Sequence, residues 1–333
     1  MSVTTALVTF AGSLMLSIVS GAVLAERIDQ LGARLRMTDA LLGIVTALGA
    51  NAPEIASAIT ALRRGHHELG LAIVFGSNVF NLAAMLGLSA VVAGGIAVGR
   101  RALALNGGVA VALILIVTVQ LFGWLPAAIA AMLSGLIFVP YVVLSALTPR
   151  HGTALGLPAN VTDTLAEVHR EARRDSTPRR PTAIDVLTLA PSVVAIVVAS
   201  VWMVDAATFL GTHWRISQLV VGMVAIATLT SVPNVVAAVR LAVRGRGSAV
   251  VSEAFASNNL NLIAGVSVSA VLMTIVSTPG ARFAAGWLVA MSIVAVGLAS
   301  SRRGLTRTGG AILIAIYVAF LAAVIWLNGS MTA

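Results

Sequence analysis

The sequence lacks cysteine and lysine, and it has few charged residues of either sign. Of its 333 residues, 10% are charged and 59% are hydrophobic, whereas soluble domains carry about a quarter charged residues. This composition excludes a water-soluble enzyme. The absence of cysteine excludes disulfides, thiolate metal sites, iron–sulfur clusters and cysteine nucleophiles.

The basic residues that are present are all arginines. There are 21 of them, and they give the chain a formal net charge of +9. Most lie in short loops between apolar runs, which is the pattern of a membrane topology signal and not of a nucleic-acid-binding surface. The sequence therefore predicts a lipid bilayer as its environment and no nucleic-acid partner.

The apolar runs predict an all-α integral membrane protein. A helix that crosses the hydrocarbon core needs about 20 apolar residues, and ten stretches meet this length. They are residues 3–25, 38–62, 69–96, 103–121, 124–147, 184–206, 216–239, 249–277, 283–300 and 309–328.

The distribution of arginine predicts the orientation. With the N-terminus outside, 17 arginines fall on the cytoplasmic side and 4 on the outer side, as the positive-inside rule requires. Both termini are then outside. The compact loops, the exclusive use of arginine and the lack of a eukaryotic targeting segment favour a bacterial plasma membrane.

One long polar segment divides the chain. Residues 148–183 contain four prolines, four acidic residues and six arginines, and we interpret them as a cytoplasmic linker. The linker separates a five-helix unit, residues 1–147, from a second one, residues 184–333. Because five is an odd number, the second unit starts on the opposite side of the membrane, so any repeat between the units is inverted.

The two units share two motifs. The segment 49–54 (Gly-Ala-Asn-Ala-Pro-Glu) aligns with 229–234 (Leu-Thr-Ser-Val-Pro-Asn), and 76–81 (Gly-Ser-Asn-Val-Phe-Asn) aligns with 256–261 (Ala-Ser-Asn-Asn-Leu-Asn). Glu54 precedes Asn81 by the same 27 residues that separate Asn234 from Asn261. A fixed spacing of two motifs in both halves indicates an internal repeat.

A proline lies in the middle of the second and the seventh predicted helices. Pro53 and Pro233 lack a backbone N–H and crowd the carbonyls of Gly49 and Leu229, so both helices are expected to kink. Freed carbonyls are tolerated in a membrane where they line a cavity or find other donors.

Glu54 is the only acidic residue predicted near the bilayer midplane. A carboxylate there costs about 2.5 kcal/mol or more, and such residues mark ion or proton paths. The alternative is a structural Glu54 held by neighbouring Asn or Ser side chains.

These motifs resemble the two alpha-repeats of the sodium/calcium exchanger superfamily, whose pattern is Gly-Thr-Ser-x-Pro-Glu followed by Gly-Ser-Asn-x-Phe-Asn. The resemblance implies a 5+5 inverted fold around a central cation site. Matched position by position, the implied ligands are Glu54, Ser77, Asn81, Thr230, Ser231, Asn234, Ser257 and Asn261, with the carbonyls near Gly49 and Leu229. Asn51, which stands next to the break at Pro53, is a further candidate.

The departures from the family pattern reduce the charge of the implied site. Asn234 stands where calcium carriers of the family usually have a second acidic residue, Asn261 fills a place that can be Asp, and Ala50-Asn51 replaces Thr-Ser. Glu253, on the same helix face as Ser257 and Asn261, is a candidate second carboxylate. Alternatively, it pairs with Arg246 or Arg244 at the membrane interface.

The resemblance implies a secondary active antiporter that needs no cofactor and carries inorganic cations, with Na⁺- or H⁺-coupled Ca²⁺ exchange as the family activity. A single carboxylate neutralises one Na⁺ or H⁺ but leaves Ca²⁺ about one uncompensated charge, so monovalent Na⁺/H⁺ exchange is the alternative. A third interpretation is a non-transporting scaffold or receptor that keeps the fold.

Overall fold

The computed structural model describes residues 1–34, 39–147 and 187–332, with scattered residues between 153 and 166. Most of the predicted linker, residues 148–183, lies outside the described residues. The described chain is almost entirely helical. Its helices are α1 (Val3–Arg34), α2 (Asp39–Ala50), α3 (Ala52–Arg63), α4 (His67–Ala93), α5 (Arg100–Leu121), α6 (Ala127–Ala146), α7 (Leu189–His213), α8 (Gln218–Val243), α9 (Gly247–Leu272), α10 (Pro279–Ala299) and α11 (Arg307–Thr332).

The helix lengths agree with the predicted spans within several residues, with one correction. Among the described residues, nine helices are long and apolar enough to cross a membrane. The second predicted span, residues 38–62, consists of two shorter helices, α2 and α3, of 12 residues each. They are separated by Asn51, whose backbone angles are φ −90° and ψ 0°.

The proline prediction has a different outcome in the two halves. Pro53 is the second residue of α3, directly after the interruption, and α1 packs closely there, since a Cβ on Gly21 would lie 2.8 Å from Pro53 Cγ. In contrast, α8 continues as a helix through Pro233. The same residue type therefore interrupts the helix in one half only.

Three helices contain a π-helical segment. These segments are Leu82–Leu88 in α4, Val221–Ile226 in α8 and Ile263–Val268 in α9. The segments of α4 and α9 are offset by about 180 residues, and so are the starts of these helices at His67 and Gly247. Such local widening of a helix is frequent at functional sites.

One feature departs from the otherwise helical structure. Two strands of two residues, β1 (Gly95–Ile96) and β2 (Leu305–Thr306), pair antiparallel. The strand β1 follows α4, and β2 directly precedes α11. Their pairing therefore connects the first half of the chain to the last helix.

The core of the bundle is formed around α4, in whose apolar stretch 94% of residues are buried. Glycines bring α4 and α8 into close contact. A Cβ on Gly76 would lie 2.7 Å from Met223 Cα, and a Cβ on Gly222 would lie 2.6 Å from the Ala72 Cβ. This close approach places the polar motifs of the two halves against each other.

Candidate cation site

Glu54 lies in the first turn of α3 and is 1% exposed. Its Oε1 accepts a hydrogen bond from Ser231 Oγ on α8 at 2.9 Å. The Oε2 atom is buried and has no hydrogen-bond donor among the described residues. The N-terminus of α3 contributes partial positive charge near the carboxylate, but one carboxylate oxygen still lacks a partner.

Asn51, at the interruption between α2 and α3, connects this region to the second half of the chain. Its Nδ2 donates to the Ala47 carbonyl at 2.7 Å and to Ser257 Oγ at 2.9 Å. Its Oδ1 accepts from Asn234 Nδ2 at 3.3 Å. Three helices thus meet at Asn51, which stands where the motif that this segment resembles has serine.

Four asparagines form a symmetric network between α4 and α9. Asn78 Nδ2 donates to the Asn258 carbonyl at 3.2 Å, and Asn258 Nδ2 donates to the Asn78 carbonyl at 3.1 Å. Asn81 Nδ2 donates to Asn258 Oδ1, and Asn261 Nδ2 donates to Asn78 Oδ1, both at 3.1 Å. Every bond of this network therefore has a counterpart after exchange of residues 180 positions apart.

Asn78 and Asn258 were not among the predicted site residues. A signal for them exists in the sequence, since each is the Asn that follows Ser in its copy of the second motif. Each side-chain nitrogen donates to the backbone carbonyl of the other asparagine, and each side-chain oxygen accepts from Asn81 or Asn261. The two residues therefore position the two halves of the chain against each other.

Three oxygen atoms of the region are buried without a donor: Glu54 Oε2, Asn81 Oδ1 and Asn261 Oδ1. A buried acceptor without a partner costs about 1–3 kcal/mol. A cation satisfies such oxygens without supplying a hydrogen atom. The arrangement is therefore suited chemically to a positively charged ligand.

The other predicted residues lie around these oxygens or face away from them. Ser77 Oγ accepts from Asn261 Nδ2 at 3.2 Å, and the buried Thr230 donates to the Ile226 carbonyl at 2.8 Å. Gly49 is buried against α1, where a Cβ would lie 3.0 Å from Ala25 Cα. The Leu229 side chain is 39% exposed, so only its backbone could take part in the site.

Among the described residues, Glu54 is the only acidic side chain that is fully buried. Glu253, the predicted candidate for a second carboxylate, is only partly exposed and lies near enough to Arg246 for the two charges to interact. Within the described ranges, no group of three or more His, Asp or Glu residues is placed to hold a metal ion.

The chain matches the family model described as "Sodium/calcium exchanger protein" over residues 5–148 and 184–326. It is 24% identical over 299 residues to the "Putative antiporter CaxA" of Alkalimonas amylolytica, covering 86% of this chain and 88% of that protein. It is 29% identical over 140 residues to the "Sodium/calcium exchanger MaX1" of Methanosarcina acetivorans, covering 42% and 40% of the two chains.

The fold is similar to that of a solved exchanger. The structure of the sodium–calcium exchanger NCX_Mj soaked with 100 mM Na⁺ and 10 mM Sr²⁺ superposes with a TM-score of 0.64 at 17% identity, covering 96% of this chain and 99% of that chain. The same exchanger soaked with 2.5 mM Na⁺ and 10 mM Sr²⁺ gives a TM-score of 0.63 at 18% identity. At this identity the likeness establishes the fold.

Proposed function

This chain belongs to the sodium/calcium exchanger protein family, and we propose that it is a secondary active antiporter that binds its cation at the site centred on Glu54. The observation that carries the proposal is the set of buried oxygens without donors, Glu54 Oε2 with Asn81 Oδ1 and Asn261 Oδ1. Ser231, Thr230, Asn51, Ser77, Asn234 and Ser257 supply further oxygens around the same region.

The proposed architecture is ten crossings in two inverted repeats, with α2 and α3 together forming the second crossing. The common offset of 180 residues and the reciprocal bonds between Asn78 and Asn258 support it. The repeats are residues 1–147 and 184–333. The segment 148–183 is the cytoplasmic linker, and both termini lie outside a bacterial plasma membrane.

Family membership and the charge of the site favour different transported ions. Family membership supports Na⁺- or H⁺-coupled exchange of Ca²⁺. The single carboxylate instead favours a second candidate, Na⁺/H⁺ exchange, because Glu54 compensates one positive charge, whereas Ca²⁺ prefers 6–8 oxygen ligands that often include several carboxylates.

The test is flux into proteoliposomes that contain the purified chain. Uptake of ⁴⁵Ca²⁺ and of ²²Na⁺ is measured under an imposed sodium gradient and, separately, under an imposed pH gradient. Calcium uptake driven by either gradient supports the family activity, whereas ²²Na⁺ uptake driven by the pH gradient without calcium uptake supports Na⁺/H⁺ exchange. Absence of any coupled flux would contradict both and favour a non-transporting scaffold.

A further inference from the structure

A second line of polar side chains follows α9, on the side that contacts α5 and α6. Asn106 Nδ2 on α5 donates to Ser252 Oγ on α9 at 3.2 Å, and Tyr141 Oη on α6 donates to Asn106 Oδ1 at 2.8 Å. Near the other end of α9, Ser267 Oγ donates to Ser134 Oγ on α6 at 3.3 Å. We call these five residues, together with Asn259, the lateral track.

Asn259 is the member of the lateral track without a partner. It lies seven residues after Ser252 and hence on the same face of α9, between Ala256 and Leu260, which pack in one cluster with Tyr141. Its side chain is 0% exposed, and neither its Nδ2 nor its Oδ1 has a hydrogen-bond partner in the described part of the chain. A buried amide with both ends unpaired indicates a bound water or ion.

The lateral track breaks the internal repeat. Every one of its positions has an apolar residue or glycine at the equivalent position of the other half, 180 residues away. The equivalents of Ser252, Asn259, Ser267, Asn106, Tyr141 and Ser134 are Ala72, Val79, Gly87, Gly286, Leu321 and Ile314. The fold therefore does not require polar groups at these places, where they are costly in a bilayer.

We infer that the lateral track is a second, one-sided access path for a monovalent cation, leading from the Ser252 end of α9 to the central region, with Asn259 as its binding position. Asn259 lies in the same stretch of α9 as Ser257, Asn258 and Asn261, and Asn258 accepts a hydrogen bond from Asn81, so the path ends at the part of the helix that carries the central site. This inference rests on the proposed transport function.

The chemistry of the track selects the class of ion. Its oxygens belong to hydroxyl and amide groups, so they bind without contributing charge. Glu253 follows Ser252 in the sequence and is therefore rotated by about 100° around α9 from the track. Neutral oxygens suit a weakly held monovalent cation that must leave again, whereas a divalent ion needs carboxylates.

The test measures whether a cation reaches an introduced cysteine thiol. The chain suits this test because it has no cysteine of its own. Asn259→Cys and its repeat equivalent Val79→Cys are placed in proteoliposomes in nitrate buffer and exposed to Ag⁺, a monovalent cation that binds thiolates. The protein is then denatured, and the unreacted thiol is labelled with a maleimide. We expect Ag⁺ to protect Asn259→Cys and not Val79→Cys, which is also fully buried.

The alternative outcomes overturn the inference. Equal protection of both variants would mean access through the central site, and protection of neither would mean that no cation reaches Asn259. Protection of Asn259→Cys by the neutral reagent methyl methanethiosulfonate but not by Ag⁺ would indicate water alone. If Asn259→Cys does not fold, the pair Ser134→Cys and Ile314→Cys asks the same question on α6.

A second measurement separates this inference from the proposed function. Asn259→Val, which copies the other half, should slow flux while equilibrium cation affinity is retained, and the buried Ser292→Ala on α10 is the matched control. Glu54→Gln should abolish flux and leave Ag⁺ protection of the introduced thiol unchanged. Wild-type flux in Asn259→Val would contradict the path, and loss of protection in the Glu54→Gln background would contradict its independence from the central site.

Discussion

Replacement of Glu54 by Gln is the sharpest perturbation of the central site. The two side chains have the same shape, and the Gln carbonyl can keep the hydrogen bond from Ser231 that Glu54 Oε1 now accepts at 2.9 Å. The variant loses the negative charge, and an amide NH₂ replaces the oxygen that has no donor. We expect a folded, inserted protein with no ion-dependent flux.

The expected loss of cation affinity follows from the negative charge that Glu54 carries. A cation about 2.5 Å from a carboxylate oxygen gains about 7 kcal/mol at an effective dielectric constant of about 20. Dehydration of the cation and of Glu54 offsets part of this gain. Even half of it corresponds to a loss of about 300-fold in affinity, so little cation would bind at concentrations that saturate the wild type.

The assay is equilibrium binding by calorimetry together with proteoliposome flux, for the ion identified in the wild type. Glu68→Gln is the matched control, because it removes a carboxylate of the same size from the first turn of α4, where Glu68 is only half-buried. The control should bind and transport as the wild type does. Wild-type flux in Glu54→Gln would refute the assignment of Glu54 as the cation ligand.

Three further predictions concern the same region. Asn234→Glu should raise calcium affinity, because a second carboxylate offsets more of the charge and dehydration of a divalent ion; unchanged or weaker binding in a calcium titration at high pH would contradict this. Cation affinity of the wild type should fall as pH falls, because protonation neutralises Glu54. The control variant Glu68→Gln should keep this dependence, and a pH-independent wild type would argue against a carboxylate ligand. Asn258→Ala removes two side-chain hydrogen bonds and leaves Asn81 Nδ2 buried without an acceptor. It should therefore lower the free energy of unfolding by about 1–3 kcal/mol per unpaired group. Thermal unfolding in detergent tests this against the control Ser292→Ala, and equal melting temperatures of the two variants would count against the network.

Much of the architecture could be predicted from the sequence because its signals are local. Apolar runs of about 20 residues mark most of the helices, and the 27-residue spacing of the motifs relates the two halves. The minor strand pair between Gly95–Ile96 and Leu305–Thr306 has no comparable signal, since two residues per strand carry no periodicity.

The local sequence does not predict the difference between Pro53, which follows a helix interruption, and Pro233, which lies within a continuous helix. Both prolines remove the same backbone donor. The Asn51 amide at the interruption is held by Ala47, Ser257 and Asn234, and Gly21 of α1 packs onto Pro53. Most of these contacts join different helices, and a single-helix pattern contains no information about them.

The site residues were predictable as a set, but their pairing was not. A motif shows which side chains lie at the same depth, whereas hydrogen-bond partners depend on how two helices are rotated against each other. Asn78 and Asn258 therefore emerged only from the structure, although the sequence shows both as repeat equivalents.

The pairing also reveals how Asn234→Glu must be accommodated. Position 54 pairs with Ser231, and its repeat equivalent, Asn234, pairs with Asn51, the equivalent of Ser231. The direction of the bond is reversed in the two pairs: Ser231 donates to Glu54, whereas Asn51 accepts from Asn234. A carboxylate at position 234 would therefore face the Asn51 Oδ1 oxygen, and Asn51 Nδ2 already donates to Ala47 and Ser257.

The double variant Asn51→Ser with Asn234→Glu removes this conflict, because a serine at position 51 can donate to the new carboxylate as Ser231 donates to Glu54. We expect it to bind calcium more tightly than Asn234→Glu alone, measured in the same titration, whereas Asn51→Ser alone should gain nothing because it adds no charge. If the single and double variants bind equally, the orientation of Asn51 does not limit the site. The repeat symmetry would then govern the backbone but not the ligand geometry.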